Sequence, residues 1–255
     1  MRFLLERMTI DVAENRAELG LHAGLIAADA IRSAILRRGE ARVIFAAAPS
    51  QNEMLATLVA QSDIDWTRVV ALHMDEYIGL PVNSKARFSY YLKKHCFEAV
   101  PFKAVYYIDE GKGLSVEEMK ERYAKILKEA HIDLVCMGIG ENGHVAFNDP
   151  HVADFNDPEL IKEVELDDVC RQQQVNDGCF PDLASTPTRA LTLTIPALAL
   201  ADIHVCSVPG HLKAAAVTRT LEGKISPECP ATILRTFPNA SLFLDRDSCS
   251  VVSCK

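Results

Sequence analysis

Seven short, nearly unbroken apolar runs recur along this chain, separated by segments with helical spacing. That alternation constrains the fold more than any other feature. The runs are "RVIFAAA" (42–48), "RVVALH" (68–73), "AVYYI" (104–108), "IDLVCMG" (132–138), "LTLTI" (191–195), "IHVCSV" (203–208) and "SLFLD" (241–245). Between them the pattern predicts helices over 16–38, 51–62, 87–97, 115–130 and 210–222, the last stopping at Gly223. Strands that are apolar on both sides must be covered on both faces, which only crossover helices do. The expected fold is therefore α/β: a doubly wound, largely parallel, Rossmann-like sheet with helices on both faces. No repeat, low-complexity block or Pro/Gly/Ser linker divides the 255 residues, so one domain is expected over 1–255.

In such sheets ligands bind beyond the carboxyl ends of the strands. "RVIFAAA" ends in Pro49-Ser50-Gln51-Asn52-Glu53. Ser50 and Glu53 match the capping box S-x-x-E, and the same free N–H groups can face a phosphate. "RVVALH" ends in "MDEYIGLP" (74–81), whose Asp75 and Glu76 read either as turn residues or as a general base. "IHVCSV" is followed by Pro209-Gly210-His211-Leu212-Lys213. A lysine in the first turn of a helix opposes the macrodipole, so Lys213 is either solvated or offset by a bound anion.

"IDLVCMG" runs into "MGIGENGHVAFNDP" (137–150), where Gly138-x-Gly140-x-x-Gly143 has the dinucleotide spacing. That fingerprint requires a helix opening at its third glycine. Here Asn148, Asp149 and Pro150 punctuate the chain too soon for one, and His144 and Asp149 are reactive groups a nucleotide loop does not need. A histidine and two acidic loops on one sheet edge point instead to an active site.

Composition narrows the partners. A net charge of −8 and a pI near 5.5, without any basic run, argue against nucleic acid, whereas a local donor cluster still suits a small anion. No unbroken apolar stretch reaches a membrane span, and charges interrupt the apolar N-terminal run "MRFLLERMTIDVAEN". The eight cysteines form no CxxC pair and no regular spacing; they read as reduced thiols in a cytoplasmic protein, with no metal site.

These loops resemble the glucosamine-6-phosphate deaminase (isomerase) family, a relative of the 6-phosphogluconolactonases. The resemblance runs from about Ala46 to Asp245 and is carried by "MDEYIGLP", "GIGENGHVAFNDP", "ALTLTIPALALA" and "GHLKAAAVTRTLEG". It implies isomerisation and deamination of an amino-sugar 6-phosphate, foremost glucosamine 6-phosphate, to a ketose 6-phosphate and ammonia, without a cofactor. Asp75 matches the family's proton shuttle between C2 and C1, His144 its ring-opening histidine, and Lys213 its phosphate-binding lysine. Ser50 and Gln51 occupy the place of its phosphate loop. Such chemistry needs one base reaching two adjacent carbons and an acid–base group titrating near neutrality.

The chain departs from the family pattern at two positions behind the histidine. Asn142 stands where the family usually has aspartate, and Asp149 where it usually has glutamate. Asn142 can orient a ring but brings no charge to support an imidazolium. Arg171, in "VCRQQQVNDG", is a weak candidate for a further phosphate ligand. The basic pair of the allosterically regulated members has no clear match, so a homo-oligomer is left open and a regulated hexamer is not expected. The rival readings are a lactonase-type hydrolase on the same fold, and a sugar-phosphate sensor without turnover.

Overall fold

A computed structural model describes residues 1–250 of the chain. It opens with an antiparallel hairpin, β1 (Arg2–Leu5) and β2 (Met8–Val12), followed by helix α1 (Arg16–Arg38) and strand β3 (Ala41–Phe45). Next come α2 (Asn52–Val59), β4 (Val69–His73), the short β5 (Asp75–Tyr77), α3 (Phe88–Leu92), β6 (Ala104–Tyr106), α4 (Val116–Glu129) and β7 (Leu134–Met137). The second half holds β8 (Ile161–Glu165), α5 (Asp168–Asn176), β9 (Arg189–Leu193), α6 (Ile195–Leu198), β10 (Ile203–Val208), α7 (Ala214–Glu222) and β11 (Ala240–Leu244).

The main sheet has the order β1-β2-β11-β10-β7-β3-β4-β6, and every pairing from β2 to β6 is parallel. The chain winds outward from β3 through β4 to β6, then returns to β7 and winds the other way. The reversal lies between β3 and β7, and the crevice at such a switch point is where a ligand is expected. Strands β3, β4 and β7 are buried at every residue. Successive residues feed opposite faces: Val43, Phe45, Ala71 and Cys136 join the core under α1 and α2, whereas Ile44, Leu72, Val135 and Met137 join the core under α4, α6 and α7.

Three expectations are corrected. "LTLTI" is not part of the parallel sheet: it contributes β9, the centre of an antiparallel sheet β5-β9-β8. Its partner β8, "IKEVE", buries only Ile161 and Val164, so it carries no continuous apolar run. The capping box at Ser50 does not form, because Pro49 starts a 3₁₀ turn one residue earlier, with Ala48 at its cap, and Glu53 pairs instead with Arg16 at 2.7 Å. A full capping box does form at Ser115 and Glu118, opening α4. The stop at Gly223 holds: α7 ends there in an extended conformation, and a Cβ would lie 2.4 Å from the Arg219 carbonyl oxygen. Finally, α1 is long and apolar enough, by length and composition, to cross a bilayer, yet half of its most apolar window is buried in the protein. Its inner face of Ala23, Ala27, Ala30 and Ala34 lies in the core beside α2.

Candidate active site

The loops after β3, β4, β7 and β10 converge on one cleft. Ser50 and Gln51, Asp75, His144 and Lys213 all line it, each from a different strand end. Asn142 and Asp149 do not reach it; they stand behind His144.

The glycines of "GIGENG" have steric tasks. A Cβ on Gly140 would lie 2.2 Å from Cε1 and Nε2 of His144, so only glycine lets the imidazole fold back over the loop. Gly143 has φ +90°, in the left-handed region, and a Cβ there would also meet Cys229 Sγ at 2.7 Å. No helix opens at Gly143; a bridge between Val145 and Asn148 and a turn follow. The loop therefore presents a side chain, and the helix start a dinucleotide needs is missing.

Behind His144 the polar groups interlock. His144 Nδ1 lies 2.8 Å from Asp149 Oδ1, although the carboxylate sits off the line of a straight hydrogen bond. Two lone pairs would repel at that distance, so the ring proton belongs on Nδ1, leaving Nε2 as the acceptor at the Gly140 edge. Asn142 Oδ1 accepts the His144 backbone N–H at 3.0 Å, and Asn142 Nδ2 donates to Asp149 Oδ1 at 2.8 Å and to Asp167 Oδ2 at 3.1 Å. Burial alone would raise the Asp149 carboxyl, but His144, Asn142 and the Asp167 backbone together hold it below the usual carboxylate range. His144, Asp149 and the buried Cys170 also place possible metal donors within 4.8 Å of one another. Burial, reinforced by Asp149 and Asp167, pushes the Cys170 thiol well up, which disfavours the thiolate a metal would need.

The adjacent acids Asp75 and Glu76 part company. Glu76 turns inward and accepts N–H bonds from Phe88 (3.0 Å) and Ser89 (2.9 Å), capping the start of α3 from a distance. Asp75 faces the cleft, 7% exposed, with no side-chain hydrogen bond or ion pair among the described residues. Burial pushes its carboxyl well above the usual range, and the Glu76 charge adds to this. The peptide of Asp75 is fixed from below. Ile108 N–H donates to His73 Nε2 at 2.9 Å, so Nδ1 carries the proton and donates to the Asp75 carbonyl at 2.9 Å. Burial lowers the His73 pKa and keeps that ring neutral.

Lys213, which also lines the cleft, sits in a 3₁₀ turn leading into α7, 7% exposed, and its ammonium has no hydrogen bond or ion pair among the described residues. Burial lowers its pKa, against smaller opposing effects of Asp177 and Glu141. Gln51 Nε2 donates to Ser50 Oγ (3.1 Å) and to the Ser207 carbonyl (3.2 Å), leaving the buried Gln51 Oε1 unpartnered. Since Ser50 Oγ accepts from Gln51, its own hydrogen is free to point into the cleft. Gln51 thus aims Ser50.

Arg171 is not in the cleft; it pairs with Asp168 at 2.9 Å and donates to the carbonyls of Leu183 and Thr186. Its helix instead brings Gln173 and Gln174 to the cleft wall. Sequence reasoning missed both, along with Asp167. The signal was present: the triple glutamine of "CRQQQ" is amide-rich where a solvent-facing helix would carry charges.

Comparison with known proteins agrees with this geometry. A profile described as "Glucosamine-6-phosphate isomerases/6-phosphogluconolactonase" matches residues 14–242. The glucosamine-6-phosphate deaminase of Bacillus cereus strain B4264 is 36% identical over 193 residues, 76% of this chain and 71% of that protein. The enzyme of the same name from Bacillus thuringiensis strain Al Hakam matches to the same extent: 36% over 193 residues, again 76% of this chain and 71% of that one. Among solved structures, a monomeric glucosamine-6-phosphate deaminase superposes with a TM-score of 0.84 at 24% identity, covering 95% of this chain and 99% of that one. The 6-phosphogluconolactonase of Trypanosoma brucei has a TM-score of 0.79 at 15% identity, covering 98% and 100%; these two likenesses establish the fold alone.

Proposed function

The chain belongs to the glucosamine-6-phosphate isomerase/6-phosphogluconolactonase family, and from that premise we propose that it isomerises and deaminates an amino-sugar 6-phosphate, with glucosamine 6-phosphate as the expected substrate. The observation that carries this reading is Asp75: a carboxylate in the cleft, unpaired, with its basicity raised by burial. A lactone hydrolase that activates water with His144 leaves Asp75 without a shuttle role. A proton shuttle needs just such a group.

The phosphate binds to the Lys213 ammonium and the Ser50 hydroxyl, which Gln51 aims. His144 takes the C1 hydroxyl proton on Nε2 and returns it to the ring oxygen, breaking the C1–O5 bond and giving the open-chain aldehyde; the Asp149 carboxylate steadies the transient imidazolium. Asp75 then removes the C2 hydrogen as a proton; the C–H electron pair forms the C1–C2 double bond, the C1=O π pair moves onto O1, and O1 takes a proton from the substrate's own ammonium group, giving an enol-amine. Return of that proton to C1 leaves an iminium at C2. Water adds there, ammonia leaves, and C2 becomes the ketone. Every step is a proton transfer or an addition, so the residues of the cleft suffice and no cofactor is called on. We place this activity in a single domain, working in a reducing, cytoplasmic setting in keeping with the free thiols of Cys96, Cys136, Cys170, Cys179, Cys206 and Cys229.

Ammonia release across a panel of hexosamine 6-phosphates tests the proposal. Release from at least one, together with solvent exchange at C2, is expected. Hydrolysis of 6-phosphogluconolactone with no C2 exchange on any amino sugar would assign the cleft to the hydrolase reading instead.

A further inference from the structure

We propose that Asp167 anchors the His144 relay: acting through the Asn142 amide, it holds Asp149, and with it the imidazole, and ties both to the helix that forms a wall of the cleft. The proposal rests on His144 being the proton-transfer group of the reading above.

The geometry is specific to a carboxamide at position 142. Its two N–H donors face two carboxylates, Asp149 Oδ1 at 2.8 Å and Asp167 Oδ2 at 3.1 Å, while its oxygen accepts the His144 N–H at 3.0 Å. All three bonds fix the amide in one orientation, and a carboxylate in its place would oppose both acids. Asn142 is therefore a bridge between acids. The charge missing at position 142 is supplied by Asp167, one residue further out.

Asp167 also roots α5. Its Oδ1 accepts the Cys170 N–H at 2.6 Å as the helix N-cap. Three residues beyond Cys170 the same helix brings Gln173 into the cleft, where its side-chain oxygen accepts the Glu141 N–H at 2.8 Å. The loop that carries His144 is thus pinned to α5 at two points, through Asn142 and through Glu141. Asp167 touches neither substrate nor the reacting atoms; it is a positioning residue.

The competing account is that Asp167 only caps a helix. Asp167→Asn separates the two, since asparagine caps as well as aspartate. With its oxygen engaged at Cys170, its NH₂ must face the NH₂ of Asn142, donor against donor. Wild type, Asp167→Asn, Asn142→Ala and the double variant are compared by kcat and KM for ammonia release from glucosamine 6-phosphate, by Tm, and by the ring resonances of His144 in NMR spectra. For Asp167→Asn the proposal expects a Tm lower by about 2–6 °C, the scale of one opposed hydrogen-bonding pair in a chain of this size, KM within about threefold, and kcat lower by about tenfold to a hundredfold, the scale of a slightly misplaced catalytic group. The His144 resonances move, and in the Asn142→Ala background the Asp167 substitution costs less than about twofold more. Wild-type kcat with unmoved His144 resonances in Asp167→Asn overturns the proposal, as does an undiminished loss in the Asn142→Ala background. Should the wild type release no ammonia from any hexosamine phosphate, the functional reading fails. The His144 resonances then still decide whether Asp167 positions the ring.

Discussion

Two polar regions of this molecule are built on opposite terms. Behind His144, the Asn142 amide bridges two carboxylates and the α5 N-cap joins the same group, so most of its polar atoms are paired, with Asp149 Oδ2 and His144 Nδ1 left without a straight hydrogen bond. Across the cleft, Asp75 and Lys213 are as deeply buried, 7% exposed each, and have no partner among the described residues. Burial pushes their pKa values in opposite directions, the carboxyl up and the amine down, each towards its neutral form. A finished network fixes geometry before substrate arrives. Unfinished charges wait for groups the substrate brings, and until then they cost stability.

The largest effect should come from Asp75→Asn, which keeps shape and removes basicity. Turnover should fall by roughly two or more orders of magnitude. The same substitution should raise Tm near neutral pH. A carboxyl whose folded pKa is raised contributes stability that is full below its unfolded pKa, about 3.9, and is lost as pH rises through the folded value. The neutral amide escapes that loss. Near-normal turnover would remove Asp75 from the chemistry, and a lower Tm would show that its burial is not a cost.

Lys213→Met ranks second. Binding of the phosphorylated sugar should weaken by about 1.5–3 kcal/mol, the scale of a charge-assisted hydrogen bond, with little change for the unphosphorylated sugar. Here the sign is reversed: a lysine whose folded pKa is depressed costs stability while it is charged, and the cost disappears as pH rises above its unfolded pKa. The unliganded variant should therefore be more stable at neutral pH, and titration calorimetry with differential scanning checks both halves. Equal losses for both sugars would mean that Lys213 shapes the cleft and does not bind phosphate.

On the satisfied side, Asn142→Asp should be harmful. It sets a third carboxylate against Asp149 and Asp167 and leaves acceptors facing acceptors, at a cost of about 1–3 kcal/mol. Turnover should drop with it, and the stability difference from wild type should shrink as pH falls and carboxylates protonate. Faster turnover would restore the view of Asn142 as a missing relay acid.

The smallest effect belongs to Ser50→Ala. Because Ser50 caps nothing, stability should stay within about 0.5 kcal/mol of wild type, while phosphate-dependent binding weakens. A loss above 1 kcal/mol in chemical unfolding would mean that the residue supports α2 after all.

These two regions were not equally legible in the sequence. The unfinished one was: Asp75, His144, Ser50 and Lys213 each follow an apolar run, and an α/β sheet delivers its strand ends to one edge. The satisfied region was half hidden. Asn142 and Asp149 were visible, but Asp167 meets them only because β8 and α5 fold back, and β8 buries too few residues to announce itself. The antiparallel sheet of β5, β9 and β8 escaped notice for a related reason, since an apolar run does not reveal which neighbours it pairs with. Glu76 illustrates the limit of local reading: nothing next to it in the chain says that it caps a helix opening at Phe88.

The central claim is that the buried, unpaired Asp75 carboxylate moves the C2 hydrogen of an amino-sugar phosphate. Glucosamine 6-phosphate carrying deuterium at C2 tests it directly, with the fate of the label followed by mass spectrometry and NMR as ammonia is released. The account predicts that deuterium leaves C2 in step with ammonia, reappearing at C1 of the ketose phosphate or in solvent, and that Asp75→Asn stops both. Ammonia release with the label still at C2, or label loss undiminished in Asp75→Asn, would contradict it.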